Sequence, residues 1–247
     1  MQLPEENGRD FPFYNGVPTT LTSGRWRVLL ALVAIAFALL IAPISWPGGE
    51  LGPFIPALLF SVIPLAGLSL LSGGRAGSLF AGVGWWAVKS IILFALLNIV
   101  ISMAVGGIVK ATIGASANQA IATANSLTSA GLVLFLAKTA VQLVGEEVLT
   151  ILPFLALLQW LVTRFSMGRT AAVFWAWLIS AAMFGAVHLP TYDWNFAQCF
   201  IIIGTARLVL SLAYIKTKNL WVSTGAHIFN DWFLILINVV GARFLQS

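Results

Sequence analysis

Apolar runs close to twenty residues long recur along the whole chain, and they constrain its fold more than any other feature. An α-helix needs about 20 residues to cross a hydrocarbon core of about 30 Å. None of the runs alternates apolar and polar residues as a membrane β-barrel would. In lipid the backbone must then be satisfied within helices, which predicts an all-α, polytopic membrane protein with about seven to eight transmembrane helices. The predicted spans are 26–46, 53–72, 79–105, 130–163, 170–189, 196–215 and 220–242.

Composition agrees with lipid as the main solvent. Apolar residues make up 60% of the 247 residues and charged residues only 9%, whereas a soluble domain carries roughly 25% charged residues. The one cysteine, Cys199, lies in an apolar stretch and cannot form an intrachain disulfide. We expect it to be a small buried hydrophobic residue.

Two regions follow from the distribution of polar residues. Residues 1–24 are polar and predict a short mobile N-terminal tail, and residues 25–247 form the transmembrane helical domain. The first span follows this tail and ends in Pro-Gly-Gly, so we expect it to be retained and not cleaved as a signal peptide. The segment 106–129 is polar enough to form an interfacial loop.

Basic residues indicate the orientation of the chain. With a cytoplasmic N-terminus, most loop Lys and Arg residues lie on the cytoplasmic side, and only Lys110 and Arg243 lie on the other. The stretch 130–163 does not fit a simple topology. Its 34 residues would make about 51 Å of helix, longer than the hydrocarbon core of about 30 Å. We expect it to tilt, leave the membrane or break at Gly145 or Pro153, which would allow an eighth membrane segment.

Three acidic residues and both histidines of the chain lie within or at the ends of apolar segments. A charge at the bilayer centre costs at least about 2.5 kcal/mol, so such a group is by default a candidate functional site. Two adjacent carboxylates point about 100° apart on a helix, so at least one should face a polar interior. The histidines each stand four residues from another motif residue, on one helix face. These residues are Glu146, Glu147, His188, His227 and Asp231.

The order Glu-Glu, then Phe-x-x-x-His, then His-x-x-x-Asn/Asp, each on its own helix, resembles the CPBP family of CAAX protease and bacteriocin-processing (Abi) intramembrane proteases. The resemblance covers roughly residues 130–242, a protease-like core. It departs from the family at Ile151, where the family usually has an arginine, and Arg207 or Lys138 could supply that charge. The third motif also departs, because Asp231 stands at the fourth position and Asn230 one residue before it.

The resemblance implies peptide hydrolysis by a glutamate-activated water. Glu146 would take a proton from a water held by His188, while His227 and a partner polarise the scissile carbonyl. An ionised Asp231 cannot donate a hydrogen bond, so it would orient His227 and leave Asn230 or His227 as the donor. Candidate substrates are a CAAX-like prenylated tail and a bacteriocin or signal-peptide leader.

A zinc site is the alternative chemistry. His188, His227 and Glu146 are a possible ligand set, but no His-Glu-x-x-His motif is present and the ligands would come from three helices. We therefore expect no cofactor. We expect the lipid bilayer and a peptide or protein as partners, and no nucleic acid.

Two other functions fit buried carboxylates and histidines. A proton-coupled transporter would keep such residues as a relay, although the polar residues here all lie in the C-terminal half and not in matching repeats. A catalytically idle immunity or binding protein is the second, and the missing arginine favours it.

Overall fold

The computed structural model describes residues 9–244, which form α-helices and short 3-10 and π turns without a strand. Eight helices follow in order: α1 Ser23–Ile41, α2 Phe54–Leu71, α3 Trp85–Thr112, α4 Gln119–Ser126, α5 Ser129–Phe165, α6 Arg169–Val187, α7 Gly204–Thr217 and α8 Leu220–Phe244. A π turn, Gln198–Ile203, leads directly into α7. The all-α fold is therefore confirmed.

Seven helical segments of the described chain are long and apolar enough to cross a membrane. They coincide with the seven predicted spans, and the chain is an integral, multi-pass membrane protein. The remaining helix, α4, has 8 residues and lies in the connection between α3 and α5. The predicted interfacial loop at 106–129 is shorter than expected, because α3 continues through Gly106 and Gly107 to Thr112.

Helix α5 is continuous from Ser129 to Phe165, so of the three alternatives expected for this stretch a break at Gly145 or Pro153 does not occur. Its 37 residues correspond to about 55 Å of helix. Gly145 lets α5 pack closely against α2, because a Cβ at this position would clash with the ring of Phe60. Pro153 is buried inside the helix. Neighbouring helices surround this part of α5, and such packing lets a transmembrane helix tolerate the missing hydrogen bond of a proline.

The seven spans create two faces. The N-terminal face consists of residues 9–22 and the connections 72–84, 166–168 and 218–219. Hydrogen bonds from Arg9 to the carbonyls of Ser78 and Phe80 join residues 9–22 to the connection 72–84. The opposite face consists of the connections 42–53, 113–128 and 188–197. Gln198, the first residue of the π turn, bonds both the N–H and the carbonyl of Ser116 and so joins the turn to the connection 113–128.

The N-terminal segment differs from the predicted mobile tail wherever the structure describes it. Residues 1–8 lie outside the described residues, but Phe11 and Phe13 are fully buried in the main core. Phe11 packs edge-on against Phe154 of α5, and Asp10 forms an ion pair with Arg169 at 2.6 Å. Burial of aromatic side chains holds this segment, which a reading of its polar residues alone had missed.

Cys199 is free and fully buried, as expected. It lies in the π turn, where its carbonyl oxygen would be 2.6 Å from a Cβ at position 185. Gly185 of α6 therefore permits the close approach of the turn to α6.

Candidate active site

A cavity of about 340 Å³ lies between the helices in the half of the bundle nearer the opposite face. Three of the predicted site residues line it, namely Glu146, His188 and Asp231, and so does Tyr192. The α4 connection also lines it through Asn118, Gln119 and Thr123. The motifs of three separate helices, α5, α6 and α8, thus meet at one cavity.

Glu146 faces this cavity with 14% of its side chain exposed. Its Oε1 accepts a hydrogen bond of 3.0 Å from Nε2 of Gln142, one turn earlier on α5. Gln142 in turn accepts from Nζ of Lys138 at 2.9 Å. Lys138 therefore reaches Glu146 through Gln142, and all three side chains line the cavity.

Glu147 points the other way and is completely buried. It forms an ion pair with Arg207 of α7, whose side chain is also fully buried. The same oxygen, Oε1, lies 2.9 Å from Nδ1 of His227. Because a carboxylate only accepts, Nδ1 carries the proton and Nε2 is directed elsewhere. Glu147 thus joins α5, α7 and α8 and positions the imidazole.

Nε2 of His227 faces two carboxylates across gaps. It is 4.0 Å from Oε2 of Glu146 and 3.8 Å from Oδ1 of Asp231. Both distances exceed a direct hydrogen bond.

His188 ends α6 at the same cavity. Its Nδ1 lies 2.7 Å from the carbonyl of Phe184, and a carbonyl can only accept, so Nε2 is left as an acceptor in the neutral ring. The Phe184 ring packs on His188 with centroids 4.6 Å apart. The Arg207 guanidinium lies 4.7 Å from the same ring. The Phe-x-x-x-His motif thus connects the histidine to the buried ion pair.

Asn230 does not face the cavity, although it was a candidate carbonyl donor. Its Nδ2 donates to Asp231 at 2.9 Å, and its Oδ1 accepts from Nδ2 of Asn98 at 3.0 Å. Both ends of the amide are occupied, so Asn230 supports Asp231 and is not placed to bind a substrate.

The sequence analysis missed two residues of this site. Asn98 is a fully buried amide in the middle of α3, and an isolated amide in an apolar span was a usable signal because it must find a partner. Tyr192 had no such signal, because it lies in the connection after α6. Burial, with the negative charge of Asp231 adding to it, raises the pKa of Tyr192 to about 12, so its phenol stays neutral and can donate into the cavity.

The alternative zinc ligands are His188, His227 and Glu146. Within residues 9–244 no group of three or more His, Cys, Asp and Glu side chains is arranged to hold a metal ion. Nδ1 of His188 bonds a backbone carbonyl and Nδ1 of His227 bonds Glu147.

Comparison with known proteins gives one match. Residues 128–233 match the family described as type II CAAX prenyl endopeptidase Rce1-like. This part of the chain is similar to the Rce1-like family. The Rce1-like segment begins at the N-cap of α5 and ends within α8, so it contains all three motifs. No curated protein and no solved structure matches the chain.

The match to this family supports the activity of an intramembrane endopeptidase. The chain departs from the motif expected by resemblance at Ile151, which is buried in the apolar core with 1% exposure. The charge that an arginine would bring to α5 is present on α7 instead, because Arg207 pairs with Glu147 and also donates to Thr150 at 3.2 Å. Of the two residues that could supply this charge, Arg207 is the one that pairs with Glu147.

Proposed function

We propose that this protein hydrolyses peptide bonds within the membrane with a water molecule activated by Glu146. The observation that carries the proposal is the different environment of the two adjacent glutamates. Glu146 opens onto the cavity that His188 also lines, whereas Glu147 is sealed behind it against Arg207. Only Glu146 can meet a substrate, and Glu147 is a positioning residue.

The water is oriented by two acceptors. It donates one proton to the Glu146 carboxylate and the other to Nε2 of His188, which directs an oxygen lone pair toward the scissile carbon. Glu146 takes the proton as the bond to carbon forms and delivers it to the leaving amine, so one group serves as base and then as acid. No covalent enzyme intermediate forms.

The developing oxyanion needs a hydrogen-bond donor. His227 supplies it from Nε2 in the protonated ring, with Nδ1 held by Glu147. Asp231 lies on the other side of Nε2 and balances the imidazolium charge. Asn230 holds Asp231 in place. Substrates of the proposed reaction are a CAAX-like prenylated tail or a bacteriocin or signal-peptide leader.

The decisive test is Glu146→Gln in purified, reconstituted protein, assayed against prenylated tails and leader peptides. We expect cleavage to fall by about 10²–10⁴-fold, the usual contribution of a positioned acid-base group, while thermal unfolding stays unchanged. Asp193→Asn is the matched control, because Asp193 is an exposed carboxylate that does not line the cavity. Full activity of Glu146→Gln would overturn the mechanism.

Metal dependence is tested on the wild-type protein. We expect cleavage to persist after prolonged treatment with a strong zinc chelator, because Glu146 supplies the base. Loss of activity that added zinc restores would assign the water to a metal ion and contradict the proposal.

A further inference from the structure

We propose that the substrate is a polypeptide with an apolar segment that reaches the cavity from the non-cytoplasmic side of the membrane. This inference rests on the proposed function, since it names the substrate class of the same site. Three observations support it. Connections of the opposite face line the cavity, basic residues are concentrated at the N-terminal face, and an apolar chamber lies beside the cavity.

The cavity belongs to the opposite face. Above Glu146 its walls are the end of α1, at Leu40 and Ile41, and the connections on that side, at Gln119 and Thr191. Nε2 of Gln119 donates to the carbonyl of Thr191 at 3.2 Å across this rim. Toward the N-terminal face the space is closed instead by core residues of α5, such as Leu152 and Leu155, which are fully buried. A substrate therefore enters from the opposite face.

Basic residues lie overwhelmingly at the other end of the bundle. Two, Lys110 and Arg243, lie at the opposite face, and nine at the N-terminal face: Arg9, Arg25, Arg27, Arg75, Lys89, Arg164, Arg169, Lys216 and Lys218. Lys and Arg in short loops and near span ends set orientation, and their excess marks the cytoplasmic side. The N-terminal face is then cytoplasmic, and the cavity mouth faces the other compartment.

An apolar chamber of about 240 Å³ adjoins the cavity on the α2 side. The two spaces share Thr123, Phe135 and Lys138 as lining residues, and the chamber is otherwise lined mainly by apolar residues such as Phe54 and Leu134. A polar site with water at Glu146 beside an apolar chamber suits a peptide whose scissile bond is next to a hydrophobic stretch. Such a segment lies naturally at a membrane surface.

Cysteine labelling tests the side of entry directly. Cys199→Ala removes the only cysteine of the chain, and single cysteines are then placed at Thr123 on the cavity rim and at Ser166 on the N-terminal face, both exposed. In intact bacterial cells that express the protein, we expect a membrane-impermeant maleimide to label Thr123→Cys and to label Ser166→Cys only after permeabilisation. Any other pattern of the two labels overturns the proposal.

Cleavage supplies the second readout. A membrane-impermeant leader peptide with an apolar stretch is added to right-side-out or inside-out vesicles that contain the wild-type protein. We expect cleavage at least tenfold faster in right-side-out vesicles, and the reverse preference would overturn the inference. If detergent-solubilised protein cleaves nothing, the proposed function fails, while the labelling result still decides the orientation of the cavity.

Discussion

The two ends of the bundle are built from the same seven spans but are filled differently. At the N-terminal face the second half of α5 is surrounded by the main core, which includes Phe11, Phe154 and Tyr214. At the opposite face the first half of α5 borders the polar cavity and Glu146. Between these halves lies the ion pair of Glu147 and Arg207. The tightly packed end thus holds the site residues in place, while the other end stays open to water and peptide.

Breaking the ion pair between the two halves should have the largest effect on stability. Arg207→Met leaves Glu147 charged and buried, and we expect a loss of about 3–5 kcal/mol, measured by denaturant unfolding in detergent. The double variant Glu147→Leu/Arg207→Met should recover much of this loss, because it removes both charges. Wild-type stability of Arg207→Met alone would contradict the role of the pair.

Overpacking the cavity half tests how closely α2 and α5 approach. Gly145→Ala forces a Cβ against Phe60, and we expect a destabilisation of about 1–3 kcal/mol. The control is Gly131→Ala on the same helix, where the nearest atoms lie 3.4 Å away in neighbouring side chains. Phe60→Leu should partly rescue Gly145→Ala. Equal melting temperatures for the two alanine variants would show that the approach is not tight.

A variant of Asn98 tests whether the hydrogen bond from α3 to Asn230 affects catalysis. Asn98→Leu removes the donor to Asn230, which frees the amide to turn away from Asp231. We expect kcat to fall about tenfold, equivalent to about 1.4 kcal/mol, with KM little changed. Asn238→Leu is the control, because the Asn238 amide is exposed and donates only to its own helix. A pure loss of stability at unchanged kcat would assign Asn98 a structural role only.

The smallest effect is expected at the packed end, from Asp10→Asn. Burial alone would raise the pKa of Asp10, but hydrogen bonds from Arg169 and Tyr14 outweigh it and lower the pKa below 3.8. A lowered folded-state pKa stabilises the protein above the unfolded value, and this contribution disappears as pH falls through the folded-state value. Both partners are about one third exposed, so we expect at most about 1 kcal/mol. Melting temperatures of the two proteins should differ at pH 7 and converge at acidic pH.

Much of the candidate site was readable because its residues are costly in lipid. Glu146, His188 and His227 stand out in apolar runs, and the structure brings them to one region. Asn98 shows the limit of that reasoning, because its partner Asn230 is 132 positions away. Which buried polar groups pair across helices depends on rotation and register, and local sequence does not encode either.

The N-terminal segment shows a second limit. Its charged residues predicted a mobile tail, but its aromatic residues fill a site that forms only when α5 and α7 are packed, where Phe11 meets Phe154 and Tyr214. Likewise, Gly145 and Pro153 suggested a break in α5. The helix continues through both positions among neighbours that are distant in the chain, such as Phe60 beside Gly145.

By itself the sequence determined that this chain crosses a membrane with about seven helices and keeps a few ionisable groups inside, because hydrocarbon excludes unsatisfied backbone and unpaired charge at every position independently. Only the tertiary structure decided that Glu146 faces the cavity while Glu147 faces Arg207. Two adjacent residues of the same type are distinguished by what packs against each side of their helix, and those contacts come from helices far away along the chain.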